Sequence, residues 1–487
     1  MYLIHDIGTT SLKTTLFDER GDEVLRLEEP YEMHYPRNGW AEQEPLDWWN
    51  AVVKTTRAAC RKGTPVFIGL SSQRESFVLT DKKGEPLGRA ITWLDRRAPA
   101  QVQAMVERFG SDYLRLNTGM MPDTTFTAPK LLWLRQNAPE LLAAAKCVLQ
   151  AKDFIVMKLT GKPVTDPSLA CRTMLFDQER MDWNDELVEF VGLDRSQLPE
   201  VRRSYEAVGE VINPELPGRM TVVLGGGDRQ CEALGSSVSN ARAMESTGTT
   251  TNVSCISESP VNDIRVTSSC HVVGGSRLVE QGMTTSGAIL AWLKELTGVD
   301  YDEMNRLATE AKPGSIILLP FFMGAKSTRW DPSARGVIFG LSLSHNVGDL
   351  ARGVMEGVAL EVLACVRLLN DLGLRPKEVV SMGGGSRSAV WNQIKSDVLG
   401  VKVEVRENPD GATIGALSLA MVATGEVDLD DLPGLASRLN PTKSVFQPRE
   451  EMTKLYGRVF ATYDELYSRV APLYGGLGSP DEVKCND

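Results

Sequence analysis

The chain has 487 residues, 42% hydrophobic and 24% charged, with a net charge of −11. That length exceeds what a single hydrophobic core supports, so two domains are expected. The acidic balance argues against a nucleic-acid surface, which needs a basic face, yet a few local donors would suffice for a phosphorylated ligand.

Eight cysteines lie scattered without a Cys-x-x-Cys pair, and the four histidines show no metal-ligand spacing. This reads as free thiols in a reducing compartment, without a zinc site or a disulfide framework. Tyr2-Leu3-Ile4 reads as strand directly after Met1, and no apolar stretch reaches the length of a membrane span. The expectation is a cytoplasmic protein with neither nucleic-acid nor membrane partners.

In chain order, strands over 2–6 and 13–17 flank the turn Asp6-Ile7-Gly8-Thr9-Thr10-Ser11, and the loop 18–22 leads to a third strand. Leu46 to Arg61 has helical spacing, with Pro45 near its start. A buried strand over 66–71 delivers Ser72-Gln73-Arg74-Glu75 at its C-terminal end, where ligands sit in open α/β sheets. Residues 99–200 read as a helical insertion. A strand over 220–224 ends in Gly225-Gly226-Gly227-Asp228.

The second half repeats the opening, with Ser246-Thr247-Gly248-Thr249-Thr250-Thr251 between strand-like stretches. A long helix is expected from Asp349, as N-cap, to Leu372, stopped by Gly373. A strand over 379–382 enters Gly383-Gly384-Gly385-Ser386. The tail after Tyr474, rich in Gly, Ser, Pro and Asp, is expected to be mobile.

A Gly-Thr-Thr turn can offer backbone N–H groups and hydroxyls to phosphate oxygens, because glycine permits close approach. Two such turns in two halves suggest a nucleotide gripped by duplicated domains. Asp228, directly after three glycines, can act as a base toward a hydroxyl nucleophile, or can simply cap a helix beginning near Gln230. Asp6 can hold a magnesium ion. Lys13 can donate to phosphate or sit solvated on its strand. Gln73, Arg74 and Glu75 together suit a polyhydroxylated ligand; the plainer reading is a surface ion pair. Trp93 can stack on a sugar or belong to the core, and the Gly384 region can lie under a purine. No G-x-G-x-x-G opens the chain, which counts against a dehydrogenase.

Taken together, these motifs resemble the FGGY family of carbohydrate kinases over nearly the whole chain. Supporting stretches include Thr127-Ala128-Pro129-Lys130-Leu131-Leu132-Trp133-Leu134 and Gly336-Val337-Ile338-Phe339-Gly340-Leu341. The resemblance implies an α/β fold of two duplicated actin-like (ribonuclease H-like) ATPase domains, with a central cleft and helical insertions. It implies an N-terminal domain over 1–235, a C-terminal domain over 236–473 and a tail over 474–487. It also implies ATP and Mg²⁺ as cofactors, Asp228 as base, and Asp6 with Asp228 at the metal. Thr9, Thr10, Lys13, Gly248, Thr249, Gly287, Gly384, Gly385 and Ser386 would bind ATP. Gln73, Arg74, Glu75, Trp93 and Asp228 would line the sugar or polyol pocket.

Within that family, Arg74-Glu75 is similar to glycerol kinases, whereas Asn117 through Leu134 is similar to xylulokinases. Arg229 beside the base either favours an acid such as gluconate or pairs with Glu75. The expected acceptor is a ketopentose such as xylulose, with glycerol, erythritol or an aldonic acid next. An actin-like ATPase with no small acceptor is the competing class, and a homodimer is left open.

Overall fold

The computed structural model describes residues 1–477. Tyr2–Ile7 is buried at every position, as a strand covered on both faces must be. By contact it belongs to the first of two units, which comprises residues 1–237, 257–279 and 410–440. Its main sheet contains β1 (Tyr2–Ile7), β2 (Ser11–Phe17), β3 (Glu23–Pro30), β4 (Phe67–Ser72), β5 (Ala207–Glu210) and β6 (Thr221–Gly227), in the order β5-β6-β4-β1-β2-β3. β1 is antiparallel to β2 and parallel to β4; β6 is parallel to β4, and β5 closes the edge antiparallel to β6.

The second unit comprises 238–256, 280–409 and residues from 441 onward. Its strands are β7 (Arg242–Thr247), β8 (Thr251–Ser257), β9 (Arg277–Met283, from Glu280 on), β10 (Glu378–Met382), β11 (Lys402–Arg406) and β12 (Thr442–Phe446). They run in the order β9-β8-β7-β10-β11-β12. A Gly-Thr hairpin, β7-β8, again has two parallel strands beside its first member and an antiparallel edge beyond them. The strand order of the first sheet thus recurs, which is the duplication expected from the two matched turns.

Alternation along β1 assigns its faces. Leu3 and Ile7 join a core with Trp48, Trp49 and Val52 of α1 (Pro45–Cys60) and Phe154 of α2 (Ala151–Thr160). Tyr2 and Ile4 join another core with Cys231 and Leu234 of α3 (Asp228–Gly235). Ile414 and Leu417 lie in that same core, on a helix spanning Gly411–Ala423. That helix is buried without interruption from Gly411 to Met421, so it must be apolar all round. It crosses α3 closely: a Cβ on Gly235 would lie 2.0 Å from the Gly411 carbonyl oxygen, and one on Gly415 2.0 Å from that of Cys231.

Several expectations change in detail. The strand expected over 220–224 continues through all three glycines, with a register shift between Val223 and Gly226. Gly225 has φ +68°, and a Cβ there would meet the Leu70 carbonyl oxygen at 1.6 Å, so only glycine fits. Helix α3 starts at Asp228 itself. The long helix spans Val347–Asp371, capped by Asn346; Asp349 is the third helical residue and accepts the Asn346 N–H at 2.9 Å.

The stretch 99–200 is not purely helical. Cys147–Gln150 pairs with Phe77–Thr80, and two short strand pairs, 176–177 with 182–183 and 164–165 with 200–201, interrupt the helices. Residues 257–279 and 410–440, expected within a continuous C-terminal half, pack with the first unit, because the helix over 411–423 covers β1. The expected tail begins inside a short 3₁₀ helix, Ala471–Gly476, with Tyr474 buried, and residues 478–487 lie outside the described residues. No helix among the described residues is long and apolar enough to cross a membrane.

Gly225→Ala should lower unfolding stability in urea by at least about 1–3 kcal/mol, from backbone overlap and an unfavourable φ together. An unchanged midpoint would show that β6 can reach the β4 backbone in another conformation.

Candidate functional site

At the first turn, every carbonyl oxygen is occupied by the protein. That of Gly8 accepts the Tyr31 hydroxyl and Gln73 Nε2 (3.2 Å); that of Thr9 accepts Gln43 Nε2 (2.6 Å). The Thr10 carbonyl takes the Tyr31 N–H at 3.1 Å, and the Ser11 carbonyl takes the Gly8 N–H at 3.0 Å. Trp93 Nε1 donates to Thr9 Oγ1 at 3.0 Å. The N–H groups of Thr9 and Thr10 find no protein acceptor among the described residues, and Thr10 is exposed. Carbonyls held and amides left over make an anion-binding turn.

Asp6 lies beneath it, 5% exposed, and accepts Ser71 Oγ–H at 2.8 Å. No cation stands within ion-pair distance of it among the described residues. Lys13, its cross-strand partner, is drawn instead to Asp410 at 3.0 Å, with Arg26 at 3.8 Å from the same carboxylate. Burial, with help from the charge of Asp410, pushes Asp6 up to about 7 against the pull of Lys13. Lys13 is raised in turn: burial opposes its charge, and Asp410 and Asp6 more than compensate.

At the end of β6, Asp228 is 38% exposed at its side chain and accepts the Arg229 N–H at 2.7 Å. Arg74 Nε approaches it to 3.5 Å. Loss of water raises the Asp228 carboxyl above its ordinary value, against Arg74 and Arg229. Arg229 pairs with Glu232 at 2.8 Å, one helical turn on, and not with Glu75. Glu75 is bound by Arg172 Nε at 2.5 Å through Oε1, which leaves Oε2 for a ligand. It sits at φ +63°, a conformation costing on the order of 1 kcal/mol or more for a side-chain-bearing residue. Its N–H to Gln150 (2.8 Å) and its carbonyl to Thr127 (3.1 Å) hold it there.

Two pocket candidates are placed differently from expectation. Gln73 is 1% exposed; its amide is taken by Gly8, Gln43 and Ser76, so it braces the first turn. Trp93 keeps its ring partly exposed but uses its N–H on Thr9.

The second turn follows the same rule with other partners. The carbonyl of Gly248 accepts the Gly287 N–H (3.1 Å), and that of Thr249 accepts those of Ser286 and Ala288 (3.0 and 3.2 Å). The Thr250 carbonyl takes the Gly248 N–H at 2.9 Å, leaving the exposed Thr249 and Thr250 amides without a protein acceptor among the described residues. Gly287, at the head of α4 (Gly287–Thr297), must be glycine: a Cβ would lie 2.3 Å from the Gly248 oxygen. Gly383 and Gly385 pack against Thr247, where a Cβ on either would come within 2.6 and 2.8 Å of it, whereas Gly384 faces open space. Ser386 is buried, its hydroxyl donating to the Gly383 oxygen at 2.7 Å. The buried acid here, Glu245, is fully paired with Lys395 Nζ at 2.6 Å and Ser381 Oγ at 3.0 Å.

Residues 1–235 match the N-terminal domain of the FGGY family of carbohydrate kinases, and residues 243–424 match its C-terminal domain. The chain belongs to that family. It is 30% identical over 495 residues to the xylulose kinase of Escherichia coli K12, covering 97% of this chain and all of that protein. It is 32% identical to the glycerol kinase of Thermus brockianus, over 88% of this chain and 91% of that one. The crystal structure of the xylulose kinase of Rhodospirillum rubrum superposes with a TM-score of 0.89 at 27% identity, covering 97% and 99% of the two chains.

As an FGGY carbohydrate kinase, the chain is an enzyme with a duplicated actin-like fold, and the reading as an ATPase with no small acceptor falls away. What the sequence reading of this FGGY kinase missed are Tyr31, Gln43, Arg172 and Asp410. None announces itself locally. Asp410 stands 397 residues from Lys13, and its only signal is the Asp-Gly opening of an apolar helical run.

The raised Asp6 pKa sets a pH dependence. Between its unfolded value, near 3.8, and about 7 the folded state binds the extra proton, so Asp6 lowers stability as pH rises through that window, fully above it. In metal-free protein, Asp6→Asn should therefore melt above wild type at about pH 8, with the gap shrinking toward about pH 5. Thermal melts across that range that show no pH-dependent gap would remove the assignment.

Proposed function

We propose that this kinase transfers the γ-phosphate of ATP to a hydroxyl of a small neutral sugar or polyol, in the first place a ketopentose such as xylulose. The observation that carries the reading is Asp228. It stands half-open at the end of β6, proton affinity raised and Arg74 beside it, in the same sheet as the amide-presenting turn of β1-β2. A carboxylate so placed takes the proton of the attacking hydroxyl, while Arg74 and Arg229 oppose the rise in its proton affinity. Phosphoryl transfer otherwise needs alignment and charge neutralisation.

The amides of Thr9 and Thr10 with Lys13, and those of the Gly248-Thr249 turn, are assigned to phosphate oxygens. Gly287 and the Gly384-Gly385-Ser386 turn are assigned to the rest of the nucleotide. For magnesium, the fit is good: Mg²⁺ typically uses one or two carboxylates plus phosphate and water. Asp6 is a buried carboxylate with no cation in contact among the described residues, and Asp6 and Asp228 are the groups that would hold the ion. When bound, it would neutralise phosphate charge.

Charge pairing supports a neutral acceptor over an aldonate. Arg74 lies at Asp228, Arg172 at Glu75, Arg229 at Glu232 and Arg96 at Asp123. A carboxylate substrate would have to compete for one of these cations. Glu75 Oε2 and Arg74 can bind hydroxyls, and Trp93 can cover a carbon face. The likeness to xylulose kinases favours a ketopentose; the Arg74-Glu75 pair keeps glycerol as the second reading.

Two measurements test this. Asp228→Asn should lower kcat by about 10²–10⁴-fold with nucleotide binding retained; near-normal phosphorylation would rule it out as the base. ADP release across ketopentoses, polyols, glycerol and aldonates should be stimulated most by a neutral ketopentose, and a preference for gluconate would overturn the charge argument.

A further inference from the structure

Next to the end of β6, the first unit buries a lysine and two aspartates that no step above uses. Lys152, Asp153 and Asp166 are each 1% exposed or less. Lys152 Nζ stands 3.0 Å from Asp166 Oδ1, an ion pair without hydrogen-bond geometry, and 3.5 Å from Asp153. Asp153 closes a capping box at the start of α2, accepting the Gln150 N–H at 3.3 Å. Asp166 likewise caps the short helix Pro167–Ala170, through the Ser168 N–H at 3.0 Å. A cap needs only that bond, yet the same Oδ2 also takes the hydroxyls of Ser168 (2.5 Å) and Ser204 (2.8 Å).

Ser168 carries the contact on to the site. A carboxylate paired with a cation only accepts, so the Ser168 proton is committed to Asp166 and its oxygen is left to accept in turn. It takes the Gly227 N–H at 2.9 Å. Gly227 ends β6 and caps α3, directly before Asp228. The preceding glycine is seated on the same group: a Cβ on Gly226 would lie 2.9 Å from Ser168 Oγ. The Ser204 carbonyl takes the Gly225 N–H at 2.7 Å. Each of the three glycines before Asp228 thus meets a serine that bonds Asp166.

We propose that Asp166 and Ser168, with Lys152 as their counter-charge, are positioning residues for phosphoryl transfer: they fix the Gly227 N–H, and so the point from which Asp228 reaches the attacking hydroxyl. The proposal rests on the reading of Asp228 as the base. Glycines bring no side chain to anchor a strand end, so the anchor must come from outside. A displacement of about 1 Å at a reacting group can cost about 10²-fold in rate. Lys152 is needed because a buried carboxylate without a cation would not stay charged.

Two serines on one oxygen make the test. Ser168→Ala and Ser204→Ala each remove a buried hydroxyl from Asp166 Oδ2, but only the first releases the Gly227 N–H. Both should lose similar thermal stability. With the acceptor that wild type phosphorylates fastest, Ser168→Ala should lower kcat about 10–10²-fold at unchanged KM for ATP, and Ser204→Ala by less than about threefold. Amide hydrogen exchange in the peptide spanning 225–228 should quicken in Ser168→Ala and keep the wild-type rate in Ser204→Ala. Equal kcat losses in the two variants, or unaltered exchange in Ser168→Ala, would overturn the proposal. Asp228→Asn, run alongside, separates its failure from that of the base assignment. Near-normal phosphorylation by Asp228→Asn would sink both. A collapse there, with Ser168→Ala as active as Ser204→Ala, would sink the positioning role alone.

Discussion

Each of the two Gly-Thr turns of this kinase owes its surplus of donors to how it satisfies its carbonyl oxygens. A backbone turn offers acceptors and donors together, and an anion is attracted only if the acceptors are engaged elsewhere. In the first unit, Tyr31, Gln43 and Gln73 take the oxygens of Gly8 and Thr9; in the second, the amides at the head of α4 take those of Gly248 and Thr249. The solutions differ, side chains in one case and a helix start in the other, yet each leaves two threonine amides over. Each unit reached the same electrostatic result on the same strand order by its own contacts.

The acid beneath each turn separates the units chemically. Glu245 is wholly buried but bound to Lys395 and Ser381, a closed pair that holds β7 to β10. Asp6 has a serine in the same relation, Ser71 on the parallel neighbour, but its nearest candidate cation, Lys13, is drawn off by Asp410. A buried carboxylate with a hydrogen bond and no ion pair is destabilised unless protonated or met by an added cation. Of the two units, then, the first leaves its buried acid without an ion pair among the described residues, and Asp410, by holding Lys13, contributes to that.

Much of this was legible from sequence because it is encoded locally. Gly-Thr turns between apolar strands, a glycine run before Asp228 and a polar cluster after a buried strand each lie within a few residues. The duplication followed from repeating one such unit. Contacts made over long separations were not legible. Asp410 reaches Lys13 only because an apolar helix from late in the chain covers β1, and Arg172 reaches Glu75 across 97 residues. Gln73 was readable as polar and near the site, but not as saturated, because its partners Gly8 and Gln43 belong to other segments of the fold. The left-handed backbone of Glu75 was equally hidden: nothing in Gln-Arg-Glu-Ser signals a positive φ, which is imposed by Gln150 and Thr127 from outside.

That imposed conformation bears on what the enzyme accepts. Held at φ +63°, Glu75 aims one carboxylate oxygen at Arg172 and keeps the other available, while Arg74, one residue earlier, turns to Asp228. Adjacent residues of opposite charge thus pair with different partners, and each charge is nearly cancelled where it stands. A hydroxyl can then bind without displacing an ion pair, since it donates to one member and accepts from the other. A carboxylate would compete with Asp228 for Arg74 or with Glu75 for Arg172, and taking Arg172 would leave the buried Glu75 unpaired, a loss of several kcal/mol by the usual reckoning for broken buried pairs. Under the neutral acceptor proposed above, discrimination against acidic sugars would need no repelling residue, because the pairing of charges already present would supply it.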